Sequence, residues 1–424
     1  MKLLNKPHEA PRKCASVLIK VLVFLCLVCI ILNPYTMLGR PGIAVSIVLA
    51  FYALAKKAYS ATFLEFYPIL LLMFLIGVWG ALVSHVNGIG QFNHPLAVLS
   101  LVIITLSATG IWKLCQEGGI DFHEFLRICL YVVVFNSLII ILETNFPAFR
   151  ILIESLLIPA GNINWVEGFR YRGISASGGA GLSICTPIAF ACLLYLYEGK
   201  KLGLVAVMLI SLILVIAVLN IGRTGLVMLP VVFVFYFLFY CGRFIRDPFW
   251  LIKLAFFLFG MSALVVYNFD SLVNYLDGKF GSGFVNYAFG FALQGAQGFE
   301  SEGTLRIVLS YLAVLPTNFP EVFIGYGFYG GSEFFPWTDS GYARTFLSVG
   351  LLLGVIFYLC LYLLYFRKIK SHKYLFYCIL SILLLSEAKE PLLFSGNGSR
   401  IFILLLMFSY LSDRRAEKVS LKVA

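Results

Sequence analysis

The sequence predicts an all-α integral membrane protein with about twelve transmembrane helices and one long outward loop that contains interfacial helices. Hydrophobic residues make up 61% of the 424 residues, charged residues make up 12%, and the mean hydropathy is +0.93. Soluble domains contain about 25% charged residues, so this composition excludes them. The apolar runs are joined mostly by short links, and residues 1–424 are therefore predicted to form a single polytopic membrane domain.

The apolar runs fix the order of the predicted spans. These are residues 17–32, 41–55, 63–83, 95–112, 125–142, 182–197, 202–219, 225–241, 250–268, 344–366, 373–386 and 400–411. Several are shorter than the roughly 20 residues that cross the hydrocarbon core, so the last two are expected to be tilted, broken or shielded by protein. The first run follows a basic start, but no cleavage site comes after it, which favours a retained span.

Basic residues are concentrated in alternate links. The basic set comprises the N-terminus, Lys56-Lys57, Lys113, Lys200-Lys201, Arg243 with Arg246, Arg367 to Lys370, and the tail with Arg414-Arg415. The positive-inside rule predicts that this set and both termini are cytoplasmic, and that the loops 143–181 and 269–343 face outward. This distribution accounts for the net charge of +11 through topology. The lipid bilayer, and no nucleic acid, is therefore the predicted partner.

The shorter outward loop, residues 143–181, contains a candidate anion site. Arg170 and Arg172 precede a Ser/Gly-rich stretch that leads into a span. Free N–H groups at a helix N-terminus favour anions, and together with two guanidinium groups they suit a pyrophosphate. The alternative is a flexible turn whose glycines allow close helix packing. Arg223 lies in a very short outward turn, where a charge needs a polar cavity or must snorkel to the interface.

The long outward loop, residues 269–343, is predicted to form interfacial helices over 271–280, 284–299 and 304–315. Glu302 lies in this part of the loop. The loop ends with Trp337, Asp339, Tyr342 and Arg344. Aromatic faces beside carboxylates suit sugar rings, whereas the alternative is an aromatic belt at the membrane interface.

The link between the last two predicted spans combines charges with helix breakers. It contains Glu387, Lys389 and Glu390 before a proline, and then a Gly/Ser-rich stretch that ends at Arg400. Such a segment is typical of unwound helix ends that line a cavity, and a structural ion-pair network is the alternative. The chain has no Cys/His spacing typical of a metal site and no nucleotide-phosphate loop, so neither a metal nor a cofactor is predicted.

Four short motifs resemble, in their order and topology, the bacterial O-antigen polymerases of the Wzy type, within the O-antigen ligase/polymerase superfamily. They are Arg172-Gly173 with the following Ser/Gly run, Asn220 to Gly225, the turn Gly325-Tyr326-Gly327, and Asp339 to Arg344. Arg170 and Gly181 fit the family's Arg-x10-Gly pattern in the shorter loop, but no arginine fits it in the long loop. Ligases of the superfamily are expected to carry a His near the end of the long loop, where this chain has Asp339 and Arg344; this departure favours a polymerase.

The resemblance implies transfer of a growing glycan from undecaprenyl pyrophosphate onto a new lipid-linked repeat unit, at the periplasmic face of the bacterial inner membrane. Arginines can stabilise the leaving pyrophosphate, and a carboxylate can accept the proton of the acceptor hydroxyl. The candidate residues are Asp339, Arg344 and Arg223 for catalysis, Arg170, Arg172, Lys389 and Arg400 for pyrophosphate, and Trp337, Tyr342, Glu302 and Glu390 for glycan.

The family also implies a chain-length regulator of the polysaccharide co-polymerase type as a partner. Two alternatives remain: a ligase that transfers polymer to lipid A core, and a flippase for lipid-linked oligosaccharides. A flippase is disfavoured because carriers tend to show two related halves, and this sequence shows no matching half-repeat.

Overall fold

The computed structural model describes residues 9–37, 39–58, 63–157, 171–176, 178–246, 278, 309–329 and 338–423. Within these residues every regular element is a helix, and only two isolated bridges involve extended backbone. The predicted all-α class is therefore confirmed. The predicted span 250–268 and most of the long loop lie outside the described residues, although residues 309–312 are helical, within the predicted interfacial helix 304–315.

The α-helices whose two ends both lie within the described residues follow one another along the chain. They are α1 Glu9–Leu27, α2 Pro41–Ala55, α3 Phe63–Val86, α4 Asn93–Glu117, α5 Phe122–Asn145, α6 Pro147–Leu156, α7 Ala180–Ser183, α8 Cys185–Glu198, α9 Leu204–Ile221, α10 Arg223–Arg246, α11 Phe319–Ile324, α12 Gly341–Tyr365, α13 Lys373–Glu387 and α14 Asn397–Val423. Helix α1 continues as a π-helix, Val28–Leu32. Local sequence explains several helix starts: Asp121 caps α5 by accepting from the Glu124 N–H at 2.8 Å, and α2, α6 and α11 have proline in their first turn.

Six helices of the described residues are long and apolar enough to cross a membrane. They are Glu65–Val86, Asn93–Glu117, Phe122–Asn145, Ala180–Glu198, Leu204–Ile221 and Gly341–Lys368. Three shorter apolar helices cover Val17–Leu32, Pro41–Ala55 and Thr224–Phe239. These helices are consistent with an α-helical, multi-pass membrane protein, whereas the count of twelve spans stays a prediction.

Helix α14 forms the centre of the bundle. Residues 401–411 are buried without interruption, and the helix contacts α4, α5, α7, α8, α13 and the π-helix. Other helices expose large apolar side chains outward; Val205, Met208 and Leu212 of α9 are each more than half exposed. A bundle that is apolar on both its inner and outer faces is typical of a protein in lipid. The predicted span 400–411 is therefore shielded by protein, as its short length suggested.

The bundle has two chemically different ends. The end at which α5, α9 and α13 finish is called the site end. At the opposite end, called the basic end, Lys56 pairs with Glu117, and Glu65 pairs with both Lys368 and Arg414. The basic links that contain Lys56 and Lys368, and the tail with Arg414, thus share one end of the bundle, and the compartment that each end faces stays a prediction.

Helix α12 is broken at Gly350, and the break positions its first half at the site end. Gly350 has φ +81° and ψ +170°, so the helical hydrogen bonds are interrupted there. The carbonyl of Leu347 accepts from the Tyr326 N–H at 2.7 Å, and that of Ser348 accepts from the Gly327 N–H at 3.1 Å. The segment 325–327 thus satisfies carbonyl groups that the break would otherwise leave unpaired.

Candidate functional site

The link between α13 and α14, residues 388–396, brings the outward patches of the sequence together. Lys389 Nζ donates to Thr224 Oγ1 at 3.0 Å, which joins the link to the start of α10. Just beyond the link, Asn397 Nδ2 donates to Ser175 Oγ at 2.9 Å, which joins α14 to the Arg172 loop. The first residue of α12 lies against the backbone of the link. Four segments that are distant in the sequence therefore meet at the site end.

The Arg172 turn is held by buried polar side chains of α5. Gly173 adopts φ +58°, and its N–H donates to Glu143 Oε2 at 3.1 Å. Asn136 accepts from the Ile174 N–H at 3.0 Å and donates to the Arg172 carbonyl at 3.3 Å. Since both α5 side chains are buried, the turn is fixed in place.

The guanidinium group of Arg172 is largely buried and lies within electrostatic range of Glu143 and Glu154. The residue is 9% exposed, and its Nη1 has no hydrogen-bond partner within the described part of the chain. Burial lowers the pKa of this guanidinium below its ordinary value. A buried cation with an unused donor costs free energy unless a partner is bound, and the predicted pyrophosphate contact of Arg172 stays a prediction.

The Arg400 side chain forms a hydrogen bond with the π-helix that continues α1. Its Nη1 donates to the carbonyl of Ile30 at 3.2 Å, within the π-helix Val28–Leu32. A π-helical turn is rare and occurs frequently at functional sites. The Ala176 N–H donates to the Leu32 carbonyl at 3.1 Å, so the same π-helix also anchors the Arg172 loop.

Arg223 is the first residue of α10, next to the Arg172 turn. The Tyr171 N–H donates to the Asn220 carbonyl at 2.9 Å, and Gly222 packs beside the backbone of Gly179. Close packing also explains Gly225, because a Cβ built there would lie 2.9 Å from the carbonyl carbon of Ser183. Gly225 therefore allows a close approach between α10 and the backbone of Ser183, and the backbone places Arg223 at the site end.

Asp339 and Arg344 form one ion pair at the start of α12. Arg344 Nη2 lies 2.8 Å from Asp339 Oδ1, and Arg344 Nε donates to the Thr338 carbonyl at 2.9 Å. Ser340 caps the helix by accepting from the Ala343 N–H at 3.4 Å. The ion pair therefore joins the residue just before the N-cap of α12 to the first turns of the helix. The Asp339 side chain is 38% exposed.

Tyr342 and Glu390 each donate a hydrogen bond to a backbone carbonyl of α13. The Tyr342 hydroxyl donates to the Leu384 carbonyl at 2.9 Å, and its ring lies 5.1 Å from that of Tyr358. This contact gives Tyr342 a packing role and lends no support to a glycan contact. The Glu390 N–H donates to the Ser386 carbonyl at 3.1 Å, which places Glu390 beside the end of α13.

Glu387 is a buried carboxylate that the sequence indicated only as one charge among several. It is 0% exposed, and its Oε2 accepts from the N–H groups of Leu392 and Leu393, both at 2.6 Å. The Tyr358 hydroxyl lies 3.1 Å from its Oε1. One sequence feature does point to it: a glutamate as the last residue of a helix opposes the helix dipole, so it needs a partner elsewhere.

Three predicted site residues, Arg170, Glu302 and Trp337, lie outside the described residues, and so does the Arg223 side chain. In the described part of the chain, no group of three or more His, Cys, Asp and Glu residues is arranged to hold a metal ion. No family model, curated protein or solved structure matches the chain. The site is therefore characterised by its own contacts and charges.

Proposed function

We propose that the chain is an O-antigen polymerase of the Wzy type, which joins undecaprenyl-pyrophosphate-linked repeat units. The observation that supports this most is the meeting, around the link 388–396, of the segments that carry Arg172, Lys389 and the Asp339–Arg344 pair. Cations on segments that meet at one end of the bundle, with a carboxylate on one of them, suit a reaction in which a pyrophosphate leaves and a hydroxyl attacks.

In the proposed reaction, a hydroxyl oxygen of the new repeat unit forms a bond to the anomeric carbon of the growing glycan. The bond from that carbon to the pyrophosphate oxygen breaks, and undecaprenyl pyrophosphate leaves with the electron pair. Asp339 orients the hydroxyl and accepts its proton, because its Oδ2 has no partner among the described residues. Arg344, Arg172 and Arg223 stabilise the negative charge on the leaving group, so that the proposed catalysis is independent of metal.

The proposal assigns the site end to the periplasm and the basic end to the cytoplasm of a bacterial inner membrane. The concentration of lysine and arginine at the basic end supports this orientation through the positive-inside rule. A chain-length regulator of the polysaccharide co-polymerase type belongs to the same proposal.

The test is gel analysis of surface polysaccharide after deletion of the gene and complementation with wild type or Arg344→Ala. Loss of a polymerase leaves single repeat units attached to the lipid A core, and wild type, but not Arg344→Ala, restores long chains. Core without any repeat unit would identify a ligase instead. Purified protein that lengthens chains in detergent, where no membrane has to be crossed, would exclude a flippase.

A further inference from the structure

We infer that Glu387 is a positioning residue for Arg344: it fixes the first turn of α12 against the link 388–396, so that the Asp339–Arg344 pair meets the substrate correctly. This inference rests on the proposed function, because it concerns turnover by the same site. Glu387 itself is 0% exposed and does not touch the substrate.

The burial of Glu387 is costly and needs compensation. A carboxylate removed from water loses several kcal/mol of solvation unless hydrogen bonds or opposite charges replace it. As the last residue of α13, Glu387 also lies at the negative end of that helix dipole. Both effects are unfavourable locally, so the compensation comes from the segments packed around the carboxylate.

One set of contacts joins the carboxylate to α12. Gly341, the first residue of α12, packs directly on the Glu387 carboxylate, which thus lies at the positive end of the α12 dipole. The Tyr358 hydroxyl lies 3.1 Å from Glu387 Oε1 and 3.2 Å from Oγ1 of Thr345, the residue after Arg344. The carboxylate therefore contacts the first turn of α12 at its start and, through Tyr358, at its end.

The second set of contacts joins the carboxylate to the link. Oε2 accepts from the N–H groups of Leu392 and Leu393 at 2.6 Å, which fixes the link close to Lys389. One carboxylate therefore ties two segments that carry candidate pyrophosphate ligands, Arg344 on α12 and Lys389 on the link. Small displacements between such groups are costly, since a misplacement of about 1 Å can reduce a rate by about 100-fold.

The test is a double-mutant cycle on purified full-length protein in detergent, with lipid-linked repeat units as substrate. The variants are Glu387→Gln, Arg344→Lys and the two combined. Glutamine keeps the size of the side chain and one carbonyl acceptor but removes the charge. We expect Glu387→Gln to reduce kcat by about tenfold or more while KM changes less than about twofold, because orientation is lost and ground-state binding is kept.

The double variant distinguishes positioning from a general structural role. If Glu387 acts through Arg344, Glu387→Gln reduces kcat by less than about twofold in the Arg344→Lys background. Losses that multiply independently in the two backgrounds would overturn the inference. Tyr358→Phe removes the hydroxyl that joins Glu387 to Thr345. If Glu387→Gln does not fold, Tyr358→Phe replaces it in the double-mutant cycle with Arg344→Lys. The control is Glu124→Gln, which removes a carboxylate paired with Lys20 at the basic end and leaves kcat unchanged.

The proposed function and the role of Glu387 are contradicted by different experimental results. If the wild type does not lengthen chains, the proposed function is wrong and the inference falls with it. If the wild type is active and the losses in the cycle multiply, only the role of Glu387 is wrong.

Discussion

Replacement of Gly341 by alanine is expected to disturb the site, because the added methyl group would lie about 1 Å closer to its neighbours than ordinary van der Waals contact allows. A Cβ built on Gly341 would lie 2.5 Å from Cδ of Glu387 and 2.6 Å from Cα of Pro391, whereas ordinary contact begins at 3.4 Å. Neither neighbour is the free end of a flexible side chain, since Glu387 is held by two backbone N–H groups and Pro391 contributes backbone. The first turn of α12 must therefore move away from the link.

The magnitude follows from this displacement. Arg344 lies in the same turn as Gly341, so a shift of about 1 Å moves its guanidinium by a similar distance and reduces the rate by about 100-fold. This factor corresponds to about 2.7 kcal/mol in the activation free energy. Overpacking of this kind also lowers the free energy of unfolding by about 1–3 kcal/mol.

The assay compares Gly341→Ala with Gly203→Ala in chain elongation and in thermal unfolding of the purified protein. Gly203 is the N-cap of α9 with φ −79°, and a Cβ there meets nothing within 4 Å, so this variant should keep the wild-type elongation rate and lower Tm less than Gly341→Ala does. A Gly341→Ala protein with wild-type elongation and wild-type Tm would refute the close packing between α12 and the link. A lowered Tm with unchanged kcat would support the close packing between α12 and the link. It would contradict the role of this packing in placing Arg344.

Three further predictions address other parts of the molecule. Gly327→Ala should lower Tm, because Gly327 has φ +72° and a Cβ there would overlap the backbone of Ser84; the positive φ alone costs about 1–2 kcal/mol, and an unchanged Tm would contradict the docked turn. Glu65→Gln should lower the free energy of unfolding by about 2 kcal/mol, because Lys368 and Arg414 at the basic end lose their carboxylate. This magnitude lies between the values for exposed and buried ion pairs. A loss of stability no larger than that of Glu124→Gln would argue against this network. Asp339→Asn should reduce elongation by about 100-fold at normal protein levels, and unimpaired turnover on lipid-linked repeat units would remove the base from the proposed mechanism.

Several candidate residues could be found from the sequence because their signals are local. Asp339 and Arg344 stand out because charges at the end of an apolar run are unfavourable unless they are used. The structure adds the Ser340 cap, with which α12 begins at Gly341, three residues before the predicted span 344–366. Arg172 is indicated in the same way, by its place before a Ser/Gly-rich stretch at the start of a helix.

The role of Glu387 could not be predicted in this way. Its burial depends on which segment covers the end of α13, and that segment is α12, which begins about 46 residues earlier in the chain. Similarly, the break at Gly350 is meaningful only beside the turn 325–327, whose N–H groups pair with the freed carbonyls. Glycine within a helix costs only about 1 kcal/mol, so its presence does not by itself predict a break. The sequence alone also does not show which segment pairs with the freed carbonyl groups.

By itself, the sequence determined the helical membrane character, the separation of charge between the links, and the identity of several charged side chains in the outward patches. These properties follow from hydropathy and charge, which act within one span or one turn. Only the tertiary structure decided that the Arg172 turn, the start of α10, the start of α12 and the link 388–396 meet at one end. Their meeting depends on how the helices pack around the buried face of α14, and such contacts between distant segments leave no pattern in any one of them.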